Sequence, residues 1–223
     1  MKRIVVLISG RGSNMRALFE AKLPATIAAV ISNNPAAAGL EYARRHNVEA
    51  RVVNHRDFPD RSSFDAALAA EVASFTPDLV VLAGFMRILT ETFVTRFAGR
   101  MLNIHPSLLP AFTGVNTHQR ALDEGVRLHG CTVHFVTATL DHGPIVIQAA
   151  VPVLPGDDEA TLAARVLEQE HRIYPTAVRW LLEDKVSLEQ GRVKFHGALC
   201  FPAAVISPAE QDKGPRTGQA REV

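Results

Sequence analysis

The chain is poor in cysteine, with only Cys131 and Cys200 among 223 residues. Two isolated thiols offer neither a disulfide framework nor the paired spacing of a structural zinc site. We therefore expect reduced thiols in a cytoplasmic protein, and we expect neither cysteine to act as a covalent nucleophile.

Long apolar runs and an excess of charge of one sign are also missing. The apolar run at residues 4–8 is too short for a signal-peptide core, and no segment reaches the roughly 18 apolar residues of a membrane span. The net charge is +1, from 24 Lys and Arg against 23 Asp and Glu. This balance argues against a general nucleic-acid or membrane surface, while it leaves room for a local phosphate site.

Nine histidines raise the question of a metal site. The residues that could in principle form one are His105, His134 and His142, together with Asp141. Neither an HExxH segment nor a Cys/His spacing supports this alternative, so no metal is expected.

Short apolar runs alternate with segments of helical spacing in the first half of the chain. Runs rich in Val, Ile, Leu and Ala predict buried parallel strands at 4–8, 27–31, 79–83 and 102–104. Helical patterns lie between them at 14–22, 36–46 and 62–75, and a further short strand is open at 51–53. This alternation predicts an α/β fold with a doubly wound, mostly parallel sheet.

The second half of the chain has a different pattern. Residues 132–136 and 145–153 predict later sheet-edge strands, for which antiparallel pairing is open. Residues 157–184 predict a long helix, capped by Asp157 or Asp158. From about residue 201 the sequence is rich in Pro, Gly and charge, so we expect one domain over residues 1–197 and a weakly structured tail over 198–223.

Asn103 and His105 lie two residues apart at the end of an apolar run. Residues i and i+2 of a strand point to the same side, and Pro106 favours an extended conformation for His105. The two side chains should therefore enter one cavity, where an amide holds a developing oxyanion and an imidazole moves or shares a proton. The alternative is a buried Asn and His that satisfy loop backbone.

The segment at 9–14, Ser-Gly-Arg-Gly-Ser-Asn, follows the first strand and opens the first helix. In an α/β sheet this place suits a phosphate, because glycines admit it closely and helix N-terminal amides point at an anion. The third Gly of a dinucleotide fingerprint and the Gly-Lys-Ser/Thr ending of a Walker loop are missing, which favours a phosphomonoester. The alternative is an ordinary glycine turn with Ser13 or Asn14 as the N-cap.

Three other places are ambiguous on their own. Asp141 is the nearest candidate carboxylate to orient His105, although a turn Asp commonly bonds its own backbone. Residues 84–89 close the fourth strand and could either wall a flat apolar pocket or simply pack, with Arg87 on the surface. Glu170, on the long helix, could receive a substrate amine or lie on a solvated face.

In their order and spacing, these motifs resemble the phosphoribosylglycinamide formyltransferases, a folate-dependent family, over roughly residues 3–195. They are Ile8-Ser9-Gly10-x-Gly12-Ser13-Asn14, the runs 80–89 and 102–110, Val133-His134-Phe135-Val136 with Asp141-x-Gly143-Pro144, and Gln169-Glu170-His171 before Tyr174-Pro175. The resemblance implies a Rossmann-like formyltransferase fold. It also implies transfer of the formyl group of 10-formyltetrahydrofolate to the amine of glycinamide ribonucleotide, in de novo purine biosynthesis.

The resemblance further implies roles for individual residues. The catalytic residues would be Asn103, His105 and Asp141. The ribonucleotide-binding residues would be Gly12, Ser13, Asn14, Met15 and Glu170. The folate-binding residues would be Arg61, Met86, Arg87, Ile88, Leu89, Asn103, Leu140 and Asp141. The partners would be these two small molecules, without metal, nucleic acid or membrane, and the protein would be a monomer or homodimer.

The sequence departs from that family at three positions. Ala111 stands where a basic residue is frequent, Thr113 where a proline is frequent, and His142 where a small residue is frequent. The first two put contacts of the local loop in question rather than the chemistry.

Three alternative functions remain open. Methionyl-tRNA formyltransferase shares Asn103, His105 and the run 107–110, but it would need a tRNA-binding C-terminal domain, and about 25 residues follow the core here. Formyltetrahydrofolate hydrolase would normally carry a regulatory domain in front of the first strand. A non-catalytic phosphoribosyl- or folate-binding module is the third alternative, against which the intact Asn, His and Asp trio argues.

Overall fold

The computed structural model describes residues 1–197, and both the expected tail and Cys200 lie outside the described residues. Within residues 1–197, nine strands form a main sheet and a small hairpin: β1 Lys2–Ile8, β2 Ala25–Ser32, β3 Glu49–Val52, β4 Leu79–Leu82, β5 Met101–His105, β6 Leu128–Phe135, β7 Ile145–Pro152, β8 Val186–Glu189 and β9 Arg192–Phe195. The same part of the chain contains six α-helices: α1 Ser13–Glu20, α2 Ala38–Arg45, α3 Arg61–Ser74, α4 Glu91–Arg96, α5 Thr117–Asp123 and α6 Glu159–Leu182. A 3₁₀ turn covers His55–Asp57.

The main sheet has seven strands in the order β3-β2-β1-β4-β5-β6-β7. The first five are parallel, whereas β6 is antiparallel to both β5 and β7. This confirms the predicted α/β fold with a mostly parallel sheet. β7 forms an edge as predicted, but β6 lies one strand inside and begins at Leu128 rather than at 132. Its first residues, Leu-His-Gly-Cys, carry no clear apolar alternation, and pairing with β7 makes them a strand.

Each face of the sheet carries its own apolar core. Ile4, Val6 and Ile8 of β1 pack with residues of α1 and α6, while Val5 and Leu7 pack with residues of α3 and α4. Burial on both faces explains why the parallel strands are almost continuously apolar. Removing such a side chain from water contributes about 1.5–3 kcal/mol, so the strands fix the frame on which the loops at their carboxyl ends are built.

The long helix α6 is held at its N-terminus and again at Tyr174. Asp158 is its N-cap and forms a capping box with Thr161, whereas Asp157 binds Arg165 with both carboxylate oxygens, at 2.7 and 2.8 Å. The guanidinium of Arg165 holds the pKa of Asp157 well below its usual range. Further along, the Tyr174 hydroxyl lies 2.8 Å from the Leu82 carbonyl oxygen, where β4 ends. The helix is therefore anchored beneath the carboxyl edge of the sheet.

Cys131 lies on β6 and is fully buried, and burial raises its thiol pKa to about 12. A protonated, enclosed thiol is a poor nucleophile. No helix in the part of the chain that the structure describes is long and apolar enough to cross a membrane.

A buried histidine predicts loss of stability in acid. His129 of β6 is unexposed, its Nε2 lies 3.2 Å from Nδ1 of His118, and burial lowers its pKa from 6.5 to about 4. Below pH 6.5 the unfolded chain therefore takes up a proton that the folded protein refuses until about pH 4. The stabilisation is complete above pH 6.5 and is lost as the pH falls, by about 3 kcal/mol at pH 4.

We expect His129→Gln to reduce the fall in melting temperature between pH 6.5 and 4, because glutamine takes up no proton. Thermal unfolding at several pH values measures this slope. The matched control is His46→Gln, since His46 is exposed and should leave the slope as it is. Equal slopes for all three proteins would contradict the assignment.

Candidate active site

Asn103 and His105 leave the same side of β5. Leu102 and Ile104 between and beside them point into the core that α6 covers, so the two polar side chains project from the opposite face. His105 is the last residue of the strand and is buried, while Asn103 is partly exposed. The shared direction predicted from their spacing is confirmed.

His105 faces an acceptor at each ring nitrogen. Its Nε2 lies 2.9 Å from the carbonyl oxygen of Phe112, and its Nδ1 lies 3.6 Å from Oδ2 of Asp141. The second distance exceeds that of a hydrogen bond, but both side chains are more than nine-tenths buried and interact electrostatically. A carbonyl and a carboxylate only accept hydrogen bonds, so a proton on either ring nitrogen would have an acceptor beside it.

Asp141 joins two loops. Its backbone has a φ of +53°, a left-handed conformation that Asp tolerates, and its Oδ2 accepts a hydrogen bond of 2.8 Å from the backbone N–H of Gly114. The alternative of a turn Asp that serves only its own backbone is therefore wrong. The carboxylate instead closes the loop after β6 over the loop after β5.

Side chains hold the loop after β5 through its carbonyl oxygens. Ser107 Oγ donates to the Ala111 carbonyl at 2.6 Å, and Arg120 Nη1 donates to the Thr113 carbonyl at 2.6 Å. These backbone oxygens belong to two of the three positions at which this chain departs from the resembled family. The replacement of those side chains thus leaves these loop-holding bonds in place.

Asn103 binds a neighbour across the sheet. It lies opposite His134 in the β5–β6 pairing, and its Nδ2 is 3.2 Å from His134 Nε2. The alternative, in which both side chains satisfy loop backbone, thus holds in part for His105, whose Nε2 faces the Phe112 carbonyl oxygen. It does not hold for this contact of Asn103, which is to a side chain. Sequence reasoning had named His134 only within a motif and as a possible metal ligand, because strand register cannot be read from spacing.

The turn after β1 presents bare helix amides. Gly12, with a φ of +73°, is the N-cap of α1, and no side chain caps the helix. The alternative with Ser13 or Asn14 as N-cap is therefore wrong, since both are already helical. Gly39 supports the turn from α2: its N–H donates to the Gly10 carbonyl at 3.1 Å, and a Cβ at Gly39 would lie 2.5 Å from Ile8 Cδ1. Uncapped N–H groups in such a turn suit an anion.

Asn14 and Glu170 form a buried pair. Asn14 Nδ2 donates to Glu170 Oε2 at 2.6 Å, and each residue is only 7% exposed. Burial raises the pKa of Glu170, while the Asn14 hydrogen bond lowers it. The alternative of a solvated Glu170 is wrong, and one N–H of the Asn14 side chain serves the carboxylate.

Met15 is unexposed and belongs to the core between α1 and the sheet. Its side chain is therefore not available to a ribonucleotide, and only its backbone N–H remains for such a contact. The burial of Met15 agrees with the helical spacing of the segment, because Met15 and Leu18 are three residues apart and lie on the same buried face of α1.

Exposed apolar side chains lie on the loops that follow β4 and β6. Met86 is 75% exposed, Ile88 53% and Leu140 48%, while Leu89 is buried. Arg87 is partly buried, with its Cζ 5.9 Å from the Phe64 ring, and Arg61 is exposed at the start of α3. Unpaired apolar surface of this kind indicates a ligand-binding place.

Ser9 links the phosphate-type turn to the loop after β4. Its Oγ accepts a hydrogen bond of 2.7 Å from the Met86 N–H and donates to Asn33 Oδ1 at 2.6 Å. Its backbone N–H donates to the Gly84 carbonyl at 3.0 Å. Sequence reasoning missed this role, for which the only signal was the position of Ser9 directly after a strand.

Among residues 1–197, no group of three or more His, Cys, Asp and Glu side chains could hold a metal ion. His142 is exposed and its Nδ1 lies 3.0 Å from the Leu140 carbonyl oxygen, as expected of a loop residue.

Known proteins share this arrangement of elements and sequence. The formyl transferase family model matches residues 2–178. The phosphoribosylglycinamide formyltransferase of Escherichia coli K12 is 48% identical over 197 residues, which cover 86% of this chain and 90% of the relative. Glycinamide ribonucleotide transformylase 1 from Symbiobacterium toebii has a crystal structure that is similar with a TM-score of 0.84 and 49% identity, over 87% of this chain and 94% of the other. A formyltetrahydrofolate deformylase from Pseudomonas syringae pv. tomato has a TM-score of 0.82 and 29% identity, over 88% of this chain and 66% of the other.

Proposed function

The chain belongs to the formyl transferase family, and from this premise we propose that it transfers the formyl group of 10-formyltetrahydrofolate to the amine of glycinamide ribonucleotide, in de novo purine biosynthesis. The observation that carries the proposal is the meeting of His105 with Asp141 beside Asn103. β1 and β5 are parallel within one sheet, so this group and the phosphate-type turn lie at the same carboxyl edge.

The proposed reaction needs donors for an oxyanion and a route for one proton. The amine nitrogen attacks the formyl carbon, a C–N bond forms, and the carbonyl electrons move to oxygen. Asn103 then donates to that oxyanion, and the His105 imidazolium donates to it as well once its Nε2–H turns from the Phe112 carbonyl to the substrate. Each such donor is worth about 10²–10³ in rate. The His105 imidazolium gives its proton to the leaving nitrogen of the folate as the bond of that nitrogen to carbon breaks. The neutral imidazole that results takes the proton of the attacking nitrogen, directly or through a bound water. The products are formyl-glycinamide ribonucleotide and tetrahydrofolate.

The remaining site residues would bind the two substrates. Backbone N–H groups of Gly12, Ser13 and Asn14 suit the ribonucleotide phosphate, and the Glu170 carboxylate suits the amine end. The exposed apolar residues Met86, Ile88 and Leu140, with Leu89 behind them, suit the flat ring of the folate. Arg61 and Arg87 would supply cations for its polar groups.

Hydrolysis of the same formyl-folate is the reaction to be distinguished, since water would replace the amine. The identities favour transfer: 48% and 49% for the two glycinamide ribonucleotide enzymes against 29% for the deformylase. Transfer to the amine would also use the phosphate-type turn and Glu170 to hold the ribonucleotide. Hydrolysis has no ribonucleotide to hold and would use neither.

The test is an assay of the purified chain with 10-formyltetrahydrofolate, with and without glycinamide ribonucleotide. We expect formyl-ribonucleotide and tetrahydrofolate in equal amounts, and only when both substrates are present. Formate released at the same rate without ribonucleotide would identify a hydrolase. Binding of either ligand without turnover would identify a non-catalytic module. The oligomeric state, monomer or homodimer, and the cytoplasmic location stay predictions.

A further inference from the structure

His134 lies against the candidate site without a part in the reaction described above. It is 2% exposed and stands directly opposite Asn103 in the β5–β6 ladder, so the two side chains share one face of the sheet. Its ring nitrogens have two different partners. Nδ1 lies 2.9 Å from the carbonyl oxygen of Phe135, and Nε2 lies 3.2 Å from Asn103 Nδ2.

These two contacts fix the tautomer of His134. A carbonyl oxygen only accepts, so Nδ1 carries a proton. Burial lowers the pKa of the ring, which keeps it neutral, and the single proton on Nδ1 leaves a lone pair on Nε2. Nε2 is then an acceptor, and the group opposite it must be a donor.

We infer that His134 is a positioning residue that sets the orientation of the Asn103 carboxamide. With the Nδ2 group bound to His134, one N–H of Asn103 is used and the second remains for a substrate oxygen. A carboxamide turned by 180° would instead place Oδ1 against the Nε2 lone pair, and it would offer an acceptor where the oxyanion needs a donor. The inference rests on the proposed function, since it assigns His134 to the oxyanion-stabilising step.

The loop that carries Asp141 is shaped around this histidine. A Cβ at Gly143 would lie 1.6 Å from the Phe135 carbonyl oxygen and 3.2 Å from His134 Nδ1. The Phe135 N–H donates to the Pro144 carbonyl at 2.9 Å, and the β6–β7 register shifts next to His134. Glycine at 143 thus allows the chain to lie against the carbonyl that holds the His134 proton, and β-bulges are frequent beside active sites.

A double-mutant cycle tests whether His134 acts through Asn103. We expect His134→Leu to lower kcat by about 10²-fold, with much smaller changes in KM, because one oxyanion donor is lost. His134→Gln keeps an acceptor near the place of Nε2 and should recover most of this loss. In an Asn103→Ala background, either His134 substitution should change kcat by less than about threefold, because the group it positions is gone.

The control is a histidine of the same strand that does not contact Asn103. His129→Leu should lower the melting temperature, and its effect on kcat should be the same with and without Asn103. If His134→Leu does not fold, His134→Ala replaces it in the cycle, and its loss of kcat should again vanish in the Asn103→Ala background. Equal losses from the His134 substitution in both backgrounds would overturn the inference.

Nitrogen-15 NMR of the wild-type imidazole rings provides a test that does not depend on turnover. We expect His134 to be neutral with its proton on Nδ1 at pH 7. A proton on Nε2, or an imidazolium, would overturn the inference even if formyl transfer is observed. If no formyl transfer is observed but the Nδ1 tautomer is found, the proposed function fails while the described His134 geometry stands.

Discussion

Replacing His105 by alanine is expected to lower formyl transfer by about 10²–10⁴, the range of a positioned acid or base, while the fold remains. The imidazole is where the route of the proton and one oxyanion donor coincide, between the Phe112 carbonyl and the Asp141 carboxylate. Steady-state kcat and circular dichroism together measure this. Near-wild-type turnover would remove His105 from the mechanism.

Asp141→Asn separates charge from loop shape. Asparagine tolerates the φ of +53° at this position, and its side-chain oxygen can still accept the N–H of Gly114 at 2.8 Å in the present structure. What it loses is the negative charge 3.6 Å from His105 Nδ1. We therefore expect a strong fall in kcat with a nearly unchanged melting temperature. The matched control is His142→Ala in the same turn, an exposed position that should change neither quantity.

The parallel strands could be predicted because burial on both faces leaves a continuous apolar signal. Other elements lack such a signal. Helices α4 and α5 have six and seven residues, too few for a clear helical period, and neither was predicted. The hairpin of β8 and β9 was also missed, although Gln190 and Gly191, with φ of +49° and +75°, form a turn of the kind that joins two strands.

The candidate site divides in the same way. The common direction of Asn103 and His105 follows from the period of a strand, so two residues of sequence were enough. Contacts that depend on strand register or on helix docking could not be obtained from spacing. The meeting of His134 with Asn103 requires the β5–β6 register, and the pair of Asn14 and Glu170 joins residues 156 positions apart. The residues alone had left Glu170 open between a substrate amine and a solvated helix face, and the resemblance to a family assigned it to the ribonucleotide.

A second large effect is expected on ribonucleotide binding when the Asn14–Glu170 pair is broken. Asn14→Ala removes the 2.6 Å hydrogen bond to the buried carboxylate and leaves Glu170 without that donor. Hydrogen bonds to charged groups are worth about 1.5–3 kcal/mol, so the KM for glycinamide ribonucleotide should rise by about 10- to 100-fold. The KM for the formyl-folate should change far less, because the apolar residues that suit the folate belong to the loops after β4 and β6, whereas Asn14 belongs to α1.

The pH dependence of this loss identifies its cause. Burial already raises the pKa of Glu170 and the Asn14 bond opposes that shift, so removing Asn14 raises the pKa further. The carboxylate is the charged form and disappears as the pH falls through its pKa. The ratio of the ribonucleotide KM of the variant to that of the wild type should therefore be largest at low pH and decrease as the pH rises. Taking the ratio cancels the ionisation of the substrate amine, which both proteins share.

Ser13→Ala is the matched control, since it leaves the Asn14–Glu170 bond intact and should give a ratio that does not depend on pH. A pH-independent ratio for Asn14→Ala as well would mean that Asn14 acts on the ribonucleotide by shaping the turn and not through the charge of Glu170.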